Sequence, residues 1–117
     1  MATSDDPGTP PDRPVALDDG DDLDAFVQTH ESALVEFYTE GCGICASMEP
    51  VLGIVARERD AAVGTINPRD DPPLIDRFDV QSVPLLVVFR GGDPVDRIAG
   101  EFQPTEDVLA LIDRAGE

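Results

Sequence analysis

The chain has 117 residues and a mass of 12.5 kDa, which suits one domain with one modest core. Its eight cationic residues are all arginine, and against 25 Asp and Glu they leave a formal net charge of −17. Such a surface repels nucleic-acid phosphates and anionic lipid headgroups, so we expect neither as a partner. The charge suits either a plain solvated surface or a halophilic protein, whose carboxylate repulsion is screened by molar salt, and we favour the second.

Residues 1–14 are rich in Pro, Gly, Ser, Thr and Asp and contain almost no apolar side chain. This composition predicts a disordered tail over 1–14 and a single domain over 15–117. The start lacks the pattern of a secretory signal, and no apolar run approaches the roughly 20 residues that cross a bilayer. We therefore expect a cytoplasmic protein without membrane contact. In that compartment a lone pair of cysteines is typical of catalysis or metal binding.

The first predicted elements are a short strand over 15–17 and a helix with Leu23, Phe26 and Val27 on one face, capped by Asp21 or Asp22. An apolar run over 33–38, interrupted only by Glu36, predicts a buried strand. A long amphipathic helix then opens near Gly43, with apolar side chains three and four residues apart: Ile44, Met48, Val51, Leu52 and Val55. Pro50 removes a backbone donor inside this helix and predicts a kink.

The second half begins with a weak strand over 61–66 and a short helix over 72–78. Five apolar residues over 85–89 predict a central strand that is covered on both faces. A Gly-Gly turn leads into a strand over 95–99, which Pro94 marks as an edge strand. The closing helix begins near Pro104 and buries three apolar side chains, Val108, Leu111 and Ile112.

Both cysteines lie in Cys42-Gly43-Ile44-Cys45, between the strand over 33–38 and the following helix. Two thiols at this spacing can close a small reversible disulfide. A sulfur at a helix N-terminus meets unpaired N–H groups and the positive end of the helix dipole, which favour thiolate over thiol. The motif therefore predicts redox chemistry. A purely structural disulfide is the weaker alternative, because so short a loop removes little entropy from the unfolded chain.

The order of these elements, with a Val-Pro step before the central strand, resembles the thioredoxin family over about residues 15–115. The residues that carry the resemblance are Val35-Glu36-Phe37-Tyr38, Cys42-Gly43-Ile44-Cys45, Pro50, Ser82-Val83-Pro84 and Gly100. The resemblance implies an α/β thioredoxin fold, in which a central mixed sheet of four to five strands has helices on both faces.

The same resemblance implies a thiol–disulfide oxidoreductase that reduces protein disulfides, with Cys42 as nucleophile and Cys45 as resolving thiol. The Cys42–Cys45 disulfide would be its redox group, with no other cofactor and no metal. The implied partners are disulfide-containing proteins as substrates and a thioredoxin-reductase-type electron donor, and the implied state is a monomer. The substrate would contact the residues that match the family's docking surface: Gly43, Ile44, Val83, Pro84 and Gly100.

Two further residues take roles by this resemblance. Glu36 matches a buried acid that exchanges a proton with the resolving cysteine, and burial without a cation would raise its pKa. The alternative is a solvated Glu36. Pro84 matches the family's cis-proline, beside which the Val83 backbone would pair with an extended substrate segment. The alternative is an ordinary proline at a strand start.

Three positions depart from the family's pattern, and two other functions stay open. Gly41, Ile44 and Ala46 stand where the family usually has Trp, Pro and Lys, so thiol pKa and reduction potential should differ from the family's values. A zinc site would need four ligands, and beyond the cysteines the chain offers only His30, expected at the surface near a helix end. A binding module, whose thiols tune contact with a partner, is the other alternative.

Overall fold

The computed structural model describes residues 10–116, so residues 1–9 of the predicted tail lie outside the described part. Residues 10–14 contain no helix or strand. The elements that follow are β1 (Val15–Leu17), α1 (Gly20–Thr29), β2 (Ser32–Phe37), α2 (Gly43–Glu58), β3 (Ala62–Ile66), a 3-10 turn (Pro68–Asp70), α3 (Pro73–Arg77), β4 (Leu85–Arg90), β5 (Asp93–Ala99) and α4 (Thr105–Ala115). Every predicted element is present, with bounds that differ by a few residues.

The five strands form one mixed sheet in the order β1-β3-β2-β4-β5. β3 runs parallel to both β1 and β2, whereas β4 is antiparallel to β2 and to β5. Leu85 to Phe89 of β4 are all buried, as expected for a strand covered on both faces. β5 lies at an edge and contains Pro94, because an edge strand tolerates the missing backbone donor. The predicted mixed sheet is confirmed.

Helices cover both faces of this sheet, as predicted. Because side chains alternate across a strand, β2 sends Val35 and Phe37 towards α1 and α3, while Leu34 packs with α2 and α4. Each face has its own apolar core. Glu36 lies two residues after Leu34 and therefore points to the same face as Leu34, the one that α2 covers.

The cap of α1 differs from the prediction. Asp19 is the N-cap, and its carboxylate accepts a hydrogen bond from the Asp22 backbone N–H at 2.9 Å. Asp21 and Asp22, the predicted caps, lie in the first turn instead. There their charges face the positive end of the helix dipole. The prediction was wrong because several aspartates stand side by side and each could serve as a cap.

The longest helix, α2, continues through Pro50. Its buried face carries Cys45, Met48, Val51, Leu52, Val55 and Ala56. Ile44, which periodicity placed on the apolar face, is 44% exposed and does not belong to the buried face of the helix. Within residues 10–116, none of the helices combines the length and the apolar character needed to cross a bilayer.

Candidate active site

One end of the sheet, which we call the cysteine end, gathers the predicted site residues. β2 ends at Phe37, beside Leu85 where β4 begins, and Leu85 in turn pairs with Ala99 at the end of β5. Tyr38 N–H donates to the Ile66 carbonyl at 3.0 Å and so extends the β2–β3 pairing by one residue. The loop from Tyr38 to the cysteines therefore leaves the sheet next to the Val83-Pro84 segment and Gly100.

The cysteine pair sits where α2 begins. Cys42 is the N-cap with an extended backbone, its Sγ accepts the Cys45 backbone N–H at 3.1 Å, and the two residues form a disulfide with a Cα–Cα distance of 5.3 Å. The Cys42 sulfur therefore lies at the start of the helix, as the position of the motif predicts. Cys42 is half-buried, whereas Cys45 is only 4% exposed. A disulfide partner can therefore reach the Cys42 sulfur, while Cys45 lies behind it.

Behind the disulfide, a cavity of about 540 Å³ opens between α2 and the sheet. Its lining comes from the segment before β1, from β2 and β3, from the β2–α2 loop and from α2: Pro14, Glu36, Tyr38, Thr39, Glu40, Gly41, Cys42, Cys45, Ala46, Glu49, Leu52 and Thr65. Cys42, Cys45 and Glu36, the three predicted catalytic residues, therefore share one cavity.

Glu36 is 2% exposed, and its Oε2 has no hydrogen-bond partner within the described protein. Two causes together raise its pKa from 4.5 to about 7: first burial, because a carboxylate loses hydration there, and then the charge of Glu49. The alternative of a solvated Glu36 is wrong. A carboxyl group with this pKa can take up and release a proton near neutral pH.

Sequence reasoning missed several residues of this cavity. Glu49 lies one helical turn after Cys45 on α2, a spacing that places the two side chains on one face and that the sequence already displays. Thr65 is the register partner of Glu36 across β2 and β3, which no sequence signal indicates. Pro14 was assigned to the tail by composition, yet it lines the cavity.

The other predicted contact residues lie at the cysteine end but do not line the cavity. The Val83–Pro84 peptide bond is cis, and the Pro84 carbonyl accepts the Gly100 N–H at 2.9 Å. Gly100 has φ +94°, and a Cβ built there would stand 3.3 Å from the Ser82 Oγ. The left-handed backbone therefore favours glycine at this position.

His30 does not join this site. It caps the C-terminus of α1, and its ring meets the Phe26 ring edge-on, with centroids 5.2 Å apart. It is half-buried rather than on the open surface, and burial lowers its pKa. Across the described residues, no group of three or more His, Cys, Asp and Glu side chains is placed to hold a metal ion.

A family model described as Thioredoxin matches residues 14–114. The chain belongs to the thioredoxin family. A thioredoxin from Staphylococcus haemolyticus is 36% identical over 83 residues, covering 69% of this chain and 79% of that protein. A thioredoxin from Staphylococcus aureus is 33% identical over 95 residues, covering 80% and 89% of the two chains. With its paired cysteines, family membership makes this chain a thiol–disulfide oxidoreductase.

Solved thioredoxin structures share the fold. A mutant thioredoxin from Halobacterium salinarum NRC-1 superposes with a TM-score of 0.86 at 31% identity, covering 92% of this chain and 95% of that one. The oxidised thioredoxin of Plasmodium falciparum reaches a TM-score of 0.76 at 17% identity, over 88% of this chain and 98% of that one, a likeness of fold alone. The thioredoxin fold inferred from the sequence is therefore confirmed.

The structure shows the surroundings of the three residues that depart from the thioredoxin pattern, Gly41, Ile44 and Ala46. Gly41 has φ +81°, a left-handed conformation that is strained for a tryptophan. Gly43 and Ile44 are exposed beside Cys42, and no heavy atom beyond its chain neighbours lies within 4 Å of a Cβ built at Gly43. Ala46 is exposed and lines the cavity. The loop before Cys42 is thus shaped by a turn rather than by a large aromatic side chain.

Proposed function

We propose that this chain reduces disulfides in other proteins through the dithiol form of Cys42-Gly43-Ile44-Cys45. The observation that carries the proposal is the arrangement of the two sulfurs, with the reachable one at the helix cap and the buried one beside Glu36. A half-buried cap sulfur suits attack on an external disulfide, and a buried neighbour suits intramolecular release.

The first step is attack by the Cys42 thiolate. The Cys45 N–H that meets the Cys42 sulfur in the disulfide form would donate to the thiolate after reduction, and the dipole of α2 would stabilise the same negative charge. The thiolate attacks one sulfur of the substrate disulfide, a new bond joins Cys42 to the substrate, and the second substrate sulfur leaves as a thiolate that takes a proton from solvent.

The second step releases the substrate. The Cys45 thiol gives its proton to the Glu36 carboxylate, and the resulting thiolate attacks the Cys42 sulfur. The Cys42–Cys45 disulfide forms while the remaining substrate sulfur leaves as a thiolate. One dithiol has then been oxidised and one disulfide reduced. Glu36 suits the role because it is buried in the same cavity and its pKa is raised to about 7.

Substrate would dock on the side of Val83, Pro84 and Gly100. The Val83 backbone precedes an interior strand at the cysteine end and would pair with an extended substrate segment. Gly43 and Ile44 would contact the same segment from the start of α2, where both are exposed. These contacts are backbone and apolar in kind, so they would accept many sequences around a disulfide.

The proposed setting is a cytoplasmic monomer whose only redox group is the Cys42–Cys45 disulfide. It would be re-reduced by a thioredoxin-reductase-type donor, because each turnover leaves the pair oxidised. The net charge of −17 favours a halophilic cell, where salt screens the carboxylates.

The direct test is an insulin-type reduction assay in dilute and in molar KCl, with dithiothreitol as the electron source. Wild type should accelerate precipitation of the reduced insulin chain in at least one of these salts, and Cys42→Ser should not. A folded wild type that fails in both conditions would refute general reductase activity. In that case binding of a partner, with no turnover, becomes the leading function.

A further inference from the structure

Two carboxyl groups meet the cavity behind the disulfide, and the mechanism so far uses only one. Glu36 lies at its floor, on the face of the sheet that α2 covers. Glu49 lies on α2, four residues after Cys45, so the helix presents both side chains to the same side. Glu49 is exposed, whereas Glu36 is buried, which places Glu49 at the mouth of the cavity.

Within residues 10–116, no positively charged side chain lines the cavity with Glu36. The titratable side chains that line the cavity with it come from the β2–α2 loop and from α2: Tyr38, Glu40, Cys42, Cys45 and Glu49. Its neighbours across the sheet, Thr65 and Leu86, are uncharged. No arginine of the described chain lines the cavity, and the buried Oε2 of Glu36 has no protein partner. The carboxylate of Glu36 is therefore neither neutralised nor hydrogen-bonded at that oxygen.

We propose that Glu49 is a positioning residue for disulfide exchange that acts through Glu36: its carboxylate at the cavity mouth sets the pH range over which Glu36 can take up the Cys45 proton. The inference rests on the reductase function proposed above. Two carboxylates in one cavity repel each other, and the repulsion disappears when one of them is protonated. When Glu36 takes the proton from the Cys45 Sγ, the negative charge passes to that sulfur, and attack on the Cys42 sulfur then passes it to the departing substrate thiolate.

The residues proposed to contact the substrate differ from the residues that line the path of the proton. Substrate approaches beside Pro84 and Gly100, neither of which lines the cavity. The proton leaves Cys45 inside the cavity, for Glu36, and returns to solvent through the mouth where Glu49 stands.

The test is the titration of the Glu36 carboxyl carbon by NMR in wild type, Glu49→Gln and Glu58→Gln, all in the same molar KCl. Glu58 is the matched control, since it lies at the far end of α2 and outside the cavity. We expect Glu49→Gln to lower the Glu36 pKa by roughly half a pH unit, with Glu58→Gln unchanged. The pH profile of insulin reduction should move down by a similar amount.

Equal Glu36 titration in wild type and Glu49→Gln would overturn the proposal, as would an equal shift in Glu58→Gln, which would indicate the overall charge. Glu49→Ala repeats the test if the amide misfolds, and Glu49→Asp, which keeps the charge, should restore most of the shift. The NMR readout needs no turnover. An inactive wild type would thus refute the reductase function, while the titration would still show whether Glu49 raises the pKa of Glu36.

Discussion

Two cavities on the α2 face of the sheet differ in the charged side chains that line them, and this difference changes how each cavity affects its carboxyl groups. Strand β2 sends a buried polar side chain into each, Glu36 at the cysteine end and Ser32 at the opposite end, which we call the hairpin end because β4 turns into β5 there. Both side chains have an atom without a hydrogen-bond partner within the described protein. At the hairpin end Arg59 and Arg90 line the cavity, whereas no arginine of the described chain lines the one at the cysteine end.

The presence or absence of arginine changes the pKa of the carboxyl groups at the two ends. At the hairpin end, Arg59 binds Asp113 through two hydrogen bonds of 2.9 Å, and this partner lowers the pKa of Asp113. At the cysteine end, Glu36 has no cation and its pKa rises to about 7. One strand thus contributes to two environments: in one, an arginine lowers the pKa of a carboxyl group, and in the other, burial raises it.

The largest expected effect is loss of the nucleophile. Cys42→Ser should reduce insulin disulfides no faster than dithiothreitol alone, because a hydroxyl at this position stays protonated and does not form a disulfide. Cys45→Ser should also lose turnover but keep the first step. A Cys42→Ser protein that retains half of the wild-type rate would show that the cysteine end does not carry the chemistry.

The next effect concerns Glu36 and has two readouts. Glu36→Gln should slow reduction at pH 7 by roughly tenfold to hundredfold, since the Cys45 proton loses its acceptor. Glu36→Gln should also remove part of the pH dependence of the free energy of unfolding. Folded Glu36 keeps its proton up to about pH 7, whereas the ordinary value is 4.5, so wild-type stability falls as pH rises between these values.

That loss should amount to on the order of 3 kcal/mol, complete above pH 7 and absent below pH 4.5. Urea unfolding of both proteins at pH 4.5, 6 and 8 measures it, and the difference between them cancels the general effect of the acidic surface. If the two curves stay parallel over this range, Glu36 does not titrate as described.

Salt provides a smaller, global effect. With a net charge of −17, repulsion among carboxylates should fall as KCl rises from dilute to molar, and the melting temperature should climb by roughly 5 °C or more. Differential scanning calorimetry measures this change. A flat melting temperature would argue against adaptation to high salt, and it would leave the contrast between the two cavities unaffected.

The smallest effect is expected at the hairpin end. Ser32→Ala removes a hydroxyl with no partner, so the free energy of unfolding should stay constant or rise by about 1 kcal/mol. The rate and pH profile of reduction should equal those of wild type. A shifted profile in this variant would mean that the two cavities are coupled, contrary to the comparison drawn here.

The parts of this account that local patterns determine were predictable. The apolar runs of β2 and β4, the Gly-Gly turn and the cysteine spacing each depend on neighbours in sequence, and the structure has all four. The environment of Glu36 was predictable only through the family resemblance. Its burial depends on α2 covering that face of β2, and its pairing with Thr65 depends on the parallel register.

The elements that sequence missed share this dependence on distant contacts. Glu49 acquires a role only because α2 turns its Cys45 face towards β2, a rotation that periodicity alone does not fix. Pro14 belongs to a segment whose composition predicts a tail, and it still lines the cavity. The cap of α1 fell to Asp19 rather than its acidic neighbours, because the choice depends on where the chain leaves β1.

The most direct measurement is the site of the mixed disulfide. Reduced Cys45→Ser is incubated with an excess of a disulfide-containing peptide, in molar KCl, and the adduct is mapped by mass spectrometry after digestion without reductant. We expect one peptide attached at Cys42, formed rapidly, and a much slower adduct at Cys45 in the Cys42→Ser protein. Equal rates of adduct formation at the two cysteines would contradict the assignment of Cys42 as the nucleophile.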